Sequence, residues 1–321
     1  MEPRPSDANP GGNEVLDERL HAVLSAAGEV GTGVPVDRLT ELLLADSPSS
    51  ATELTSYLAR RPPLGHVDRG VAFDPTLDVV RDATSTRQAR ARTYLDAAGR
   101  FASVELALVA PLICCISVTG STAYGEPEEG DDCDLFAVVR PGALWVVLLF
   151  LYLRHRIGLR GGRSDGDPPV WCANHVFEAE AAREVFGRPQ GFLFAREALT
   201  ARPVAGESYY RGLLASAAWM GDEAPRLYAR WASEGWGEST KVRPAPCPVR
   251  LVNSLLYPLV SAYLQLAAVL RNHRFQRSGR IDETFRVVTR PDRLTLLTRR
   301  FARLNASYAR GSVTRRVPPE G

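Results

Sequence analysis

The chain has 321 residues, of which 45% are hydrophobic and 24% are charged, with a formal net charge of +2 at pH 7. The length suffices for two or three domains with their own cores, and the composition is that of a soluble globular protein. The five cysteines show no C-x-x-C spacing, which argues against a disulfide framework or a zinc site and favours reduced thiols in the cytoplasm.

The net charge conceals an asymmetry along the chain. Residues 271–321 hold 13 arginines against four acidic residues, a net +9, whereas residues 1–270 carry a net −7. A basic end on an acidic body favours either a polyanionic partner, such as a nucleic acid, or a helix face that is simply solvated.

The N-terminal quarter predicts a small helical module. Residues 1–13 read as a disordered tail, and because they lack an apolar core we expect no signal peptide. Residues 14–77 contain three short amphipathic stretches and then a hairpin pattern, the order of a winged helix. Its second and third helices carry Glu41, Asp46 and Glu53 and are poor in arginine. We therefore favour a structural or partner-binding role for this module over DNA binding.

The next stretch predicts a strand, a turn and a second strand that share one site. Residues 113–118 form a short apolar run, Gly120 and Ser121 interrupt it, and residues 122–125 resemble the start of a helix. Asp132 and Asp134 then enter a second apolar run, residues 135–139. Residues two apart on a strand share a face, so the two carboxylates should converge. Clustered oxygen ligands suit Mg²⁺, which would also relieve their repulsion.

The Gly120-Ser121 turn predicts a phosphate-binding element beside this metal site. A turn that opens a helix presents backbone N–H groups and a hydroxyl to an anion, and glycine lacks the Cβ that would block its approach. Only ten residues separate the turn from the acids. Phosphate and metal sites so close together suit a nucleoside triphosphate bound with magnesium.

This ordered combination of strand, Gly-Ser, Gly125, Asp-x-Asp and strand resembles the signature of the polymerase-β-type nucleotidyltransferase superfamily. Further segments, including Cys172 to His175 and Leu193 to Glu197, resemble bacterial nucleotidyltransferase-domain proteins. The resemblance implies two Mg²⁺ ions held by Asp132 and Asp134, and β,γ-phosphates held by Gly120 and Ser121.

The resemblance is incomplete at the third acid. The superfamily usually places another carboxylate on a later strand, but the third predicted strand, residues 170–177, offers Asn174 instead. We expect Asn174 to bind the metal–nucleotide complex, and Glu178, just past the strand, to act as the general base. By strand alternation His175 should lie on the opposite face from Asn174, as a core histidine.

The expected architecture is α/β: a small mixed-sheet nucleotidyltransferase core over residues 78–200, the winged-helix-like module over 14–77, and a helical C-terminal domain over 201–310. Residues 311–321 form a tail. Two apolar segments, residues 143–153 and 254–270, are interpreted as core helices, which implies a soluble cytoplasmic protein with no membrane partner.

The expected function is Mg²⁺-dependent transfer of a nucleoside monophosphate from an NTP to an acceptor, with release of pyrophosphate. The acceptor is left open between a small molecule, tRNA and protein. Two alternatives remain: a catalytically silent relative that acts as a nucleotide sensor or transcription regulator, and a toxin-like transferase that modifies tRNA or protein, consistent with the Arg-rich C-terminal segment.

Overall fold

The computed structural model describes residues 10–77, 84–158, 170–237 and 241–313. It is a mixed α/β structure with two β-sheets, one of three strands and one of six. The expected α/β class is therefore confirmed.

The three-stranded sheet belongs to the N-terminal unit. Its strands are antiparallel in the order β1-β3-β2, and the predicted hairpin is the β2–β3 pair. Ser50 caps the third helix by accepting a hydrogen bond from the Glu53 backbone N–H. The elements are α1 (Pro10–Glu29), β1 (Val34–Pro35), α2 (Val36–Glu41), α3 (Ala51–Ala59), β2 (His66–Asp68) and β3 (Val71–Phe73).

The six-stranded sheet has the order β7-β4-β5-β6-β9-β8, and only β5 and β6 are parallel neighbours. The first two core strands lie where the apolar runs predict them. The strands are β4 (Ile113–Thr119), β5 (Cys133–Val139), β6 (Trp171–Glu178), β7 (Arg202–Ala205), β8 (Phe285–Arg290) and β9 (Arg293–Thr298).

Helices cover both faces of this sheet, because alternate residues of its central strands feed two separate cores. Phe136 and Val138 pack with the N-terminal unit and with helices that follow β6, whereas Leu135 and Val139 pack with helices on the other face. The remaining helices are α4 (Thr84–Arg100), α5 (Gly120–Tyr124), α6 (Leu144–Gly158), α7 (Ala179–Gly187), α8 (Phe192–Thr200), α9 (Glu207–Ala215), α10 (Met220–Glu223), α11 (Pro225–Ser233), α12 (Cys247–Arg277) and α13 (Arg299–Tyr308).

The C-terminal part is helical but also contributes strands. We predicted helix over residues 201–310, yet β7, β8 and β9 all join the six-stranded sheet. Short apolar runs such as Phe285 to Val288 are ambiguous between helix and strand in sequence, and pairing of β9 with β6 decides the outcome here. Residues 201–310 therefore share a sheet with the predicted core.

The two apolar segments differ in their burial. In α6, Trp145, Val147 and Leu148 are buried, so the expectation of a core helix is confirmed there. In α12, which contains the second segment, only 11% of the most apolar 18-residue stretch is buried inside the protein. The expectation of a core helix for residues 254–270 is wrong, and the fold stays compatible with a soluble protein.

Candidate functional site

The site forms at one end of three neighbouring strands in the middle of the sheet, β4, β5 and β6. The last residue of β4, Thr119, pairs with Asp134 of β5, and Asp134 pairs in turn with Cys172 of β6. Asp134 is therefore at the centre, flanked by the start of α5 on one side and by β6 on the other.

Asp132 and Asp134 converge as the strand spacing predicts, and Cys172 joins them. One ligand atom of each of the three residues lies within 4.8 Å of the other two. Asp132 is exposed, whereas Asp134 and Cys172 are half-buried. Cys172 was not among the predicted site residues, because its sequence position gives no sign of the register that sets it opposite Asp134.

Burial raises the pKa of the Asp134 carboxyl well above its usual value, and the neighbouring carboxylates of Asp132, Glu197 and Asp131 raise it further. Although Asp132 is exposed as a residue, partial desolvation of its carboxyl raises its pKa too, and the Cys172 thiol and the Arg271 guanidinium oppose that rise. Negative charge is thus concentrated where a divalent cation would be favoured. The two carboxylates supply the oxygen ligands that suit such an ion, whereas the Cys172 thiol keeps its proton and donates it to Asn174 Oδ1.

Asn174 reaches the site, but as a hydrogen-bond donor to a carboxylate. Its side-chain N–H donates to Asp134 Oδ1, and its amide oxygen accepts from the Cys172 thiol at 3.0 Å. A β-bulge supplies this geometry: Ala173 pairs with Leu135 and His175 with Phe136, which leaves Asn174 as the extra residue. Asn174 therefore orients Asp134 and holds the thiol in place.

The same bulge corrects the prediction for His175. Strict alternation sets His175 opposite Asn174, but the extra residue brings it beside Phe136, and its ring stacks on Phe177 at 6.1 Å. Both phenylalanines belong to the core on the face that Asp134 shares. Burial lowers the pKa of His175 to about 4, as befits a neutral core histidine.

Gly120 packs directly against Asp134. Its φ is +66°, and a Cβ built there would lie 2.5 Å from Asp134 Oδ2. A side chain is therefore excluded by both backbone conformation and space. Its N–H donates to Glu197 Oε2 at 3.3 Å, and the Ser121 hydroxyl donates to Asp131 Oδ2 at 3.1 Å. Both groups expected to hold phosphates thus have acidic partners in this structure.

Glu178 is not brought to the site. It pairs with Val139 at the far end of the β5–β6 ladder, six residues from Cys172 and thus about 20 Å along the strand. Its carboxylate instead accepts a hydrogen bond from the Gly142 N–H at 2.8 Å. Its expected role as general base is a wrong prediction, because the strand continues to Glu178 and carries it away from the acids.

Glu197 of α8 is the site carboxylate that the spacing argument missed. Burial raises its pKa, and the Gly120 N–H opposes that rise. The only sequence signal was its place in the Leu193 to Glu197 segment, since it lies 63 positions beyond Asp134.

Two arginines of α4 secure the nearby loop: Arg87 donates to the Glu126 carbonyl and Arg90 to the Pro127 carbonyl.

Comparison of the chain with family models, with curated proteins and with solved structures gave no match.

Proposed function

We propose that this protein is a Mg²⁺-dependent nucleotidyltransferase that transfers a nucleoside monophosphate from an NTP to an acceptor and releases pyrophosphate. The observation that carries the proposal is the convergence of Asp132, which directly precedes β5, with Asp134 of β5, which packs against the Gly120 turn. Unpaired acids at such a position are costly, so the arrangement makes sense when a cation binds there.

In this proposal Asp132 and Asp134 hold the metal, and Asn174 keeps Asp134 in the orientation that binds it. When bound, Mg²⁺ supplies positive charge that offsets the charge developing on the transferred phosphoryl group. Glu197 is a positioning residue: it holds the Gly120 turn against Asp134. Phosphate binding at the turn then requires that the nucleotide take the place of Glu197 at the Gly120 N–H and of Asp131 at Ser121.

Arg271 adds a cation that we did not assign to the site from sequence. It lies over the rings of Phe275 and Phe285, at 5.3 and 5.7 Å from the ring centroids, and its charge opposes the rise in the pKa of Asp132. A guanidinium beside the acids is suited to bind a triphosphate tail or an anionic acceptor.

The N-terminal unit supports an alternative proposal, a catalytically silent nucleotide sensor. Its order of helices and strands, with the sheet order β1-β3-β2, is consistent with a winged helix. A cleft of about 250 Å³ lies between this unit and the helices α5 and α8, and four arginines and three acidic residues line it. These are Arg38, Arg196, Arg202 and Arg230. The acidic partners of Gly120 and Ser121 also favour this alternative, because a sensor needs no open transfer site.

The two proposals are separated by measuring pyrophosphate release from each labelled NTP with Mg²⁺, in the presence of small-molecule, tRNA and protein acceptor pools. Transfer by the wild type and its loss in Asp132→Asn support the transferase. Tight NTP binding without pyrophosphate release supports the sensor. Absence of both Mg²⁺ and NTP binding, measured by calorimetry, refutes both.

A further inference from the structure

The outer face of α12 is apolar along most of its length. From residue 251 to residue 270 the helix contains no charged residue. Five leucines on this face are between 55% and 68% exposed: Leu251, Leu255, Leu259, Leu266 and Leu270. Their spacing of four or seven residues places them on one stripe of the helix, which we call the leucine stripe. Contiguous exposed apolar surface of this extent marks a contact with a partner.

Three polar side chains of α12 form hydrogen bonds with the rest of the protein. The side-chain oxygen of Asn253 accepts a hydrogen bond from the backbone N–H of Trp145 at 2.7 Å, and the hydroxyls of Ser261 and Thr289 are hydrogen-bonded at 2.7 Å. Gln265 donates to the Val287 carbonyl at 3.1 Å. A surface helix of a soluble protein usually turns polar residues to solvent. The helix α12 is instead held to the protein both by these hydrogen bonds and by apolar packing of Leu256, Val260 and Leu264, and it still presents leucines to solvent.

By length and composition α12 could cross a membrane. Its inner face, however, is bonded to α6 and to β8, and β8 carries the exposed Arg286 and Arg290. Lipid could not surround the helix on that side without burying these charges. Only the leucine stripe is available to lipid, which suits a helix lying in the plane of a membrane surface.

Basic residues flank the leucine stripe at both ends. From Lys241 to Ile281 the chain has seven lysines and arginines and no acidic residue. Arg250 precedes the stripe and Arg271, Arg274 and Arg277 follow it; among the described residues, Arg274 and Arg277 are exposed and have no ion pair. Two copies meeting on this face would bring cationic ends together in either orientation. Anionic headgroups complement both ends at once.

We propose that α12 docks the protein onto an anionic phospholipid surface, with the leucine stripe at the acyl boundary and the flanking arginines on lipid phosphates. This proposal replaces the expectation of no membrane partner, and it does not depend on the proposed reaction.

The test is co-sedimentation of the full chain with vesicles of equal parts phosphatidylglycerol and phosphatidylcholine, and with phosphatidylcholine alone. We expect binding to the anionic vesicles that weakens with salt, and far weaker binding to the neutral ones. Leu255→Glu with Leu266→Glu should reduce binding about tenfold or more, because two apolar side chains are lost from the lipid contact. Leu108→Glu, at a leucine that is 84% exposed and lies outside α12 in the sequence, is the matched control and should bind like the wild type.

All these leucines point to solvent, so circular dichroism should show every variant folded. Failure of the wild type to sediment with anionic vesicles would overturn the proposal, as would unchanged binding of the α12 double variant. A lipid-free dimer of the wild type that becomes monomeric in the double variant would also overturn it, since the stripe would then serve a second copy.

Discussion

Replacing Asp134 with asparagine should stabilise the metal-free protein. Ligand atoms of Asp132 and Asp134 lie within 4.8 Å of each other. Two unit charges at that separation repel by about 3.5 kcal/mol at an effective dielectric of about 20, and by about 0.9 kcal/mol in bulk water. Because Asp132 is exposed and screened, we expect a gain of about 1–2 kcal/mol at neutral pH. The asparagine side chain also keeps an oxygen that accepts from Asn174.

The sign of the pH dependence follows from the raised pKa of Asp134. Above the usual pKa of an aspartate, the folded protein binds more protons at this carboxyl than the unfolded chain does. The contribution of Asp134 to stability is therefore present at low pH and is lost as pH rises. The advantage of Asp134→Asn should accordingly grow from pH 4 towards pH 7.

The assay is thermal unfolding with and without Mg²⁺. At a concentration one hundred times its dissociation constant, the ion should stabilise the wild type by about 2.7 kcal/mol and leave Asp134→Asn unchanged. Asp96→Asn, at an exposed acid of α4, is the control and should respond to Mg²⁺ like the wild type. A destabilised Asp134→Asn, or one that keeps the Mg²⁺ effect, would refute the reasoning.

Three further outcomes are expected. In nucleotide titrations, Gly120→Val should weaken NTP binding far more than Ser121→Ala, which removes one hydrogen bond of about 1 kcal/mol; equal effects contradict the phosphate role. Burial lowers the pKa of His175 from 6.5 to about 4, so between pH 7 and pH 5 the unfolded chain binds a proton that the folded protein does not. The free energy of unfolding of the wild type, measured with denaturant, should therefore fall by about 1–2 kcal/mol over that range, and this fall should be absent in His175→Gln. If the basic end binds tRNA, Arg274→Glu with Arg277→Glu should reduce the slope of log binding constant against log salt concentration by about two units. An unchanged slope would exclude contacts between these two arginines and phosphates.

The sequence by itself determined the local frame of the site. Apolar runs broken by Gly120 predict two strands and a turn, and period-two spacing brings Asp132 and Asp134 to one face. These features depend on residues within about two dozen positions of one another. A strand, a turn and its neighbouring strand leave little freedom for the chain between them, so local pattern suffices.

Tertiary structure decided what stands around that frame. A bulge re-aimed Asn174 and brought His175 to the other face, strand length carried Glu178 away, and a helix distant in sequence supplied Glu197. The outward leucines of α12 likewise become visible only once its inner face is known. Strand register, bulges and helix rotation are set by packing between segments far apart in the chain. Because this packing depends on both segments together, the hydrophobic pattern of either segment alone does not predict it.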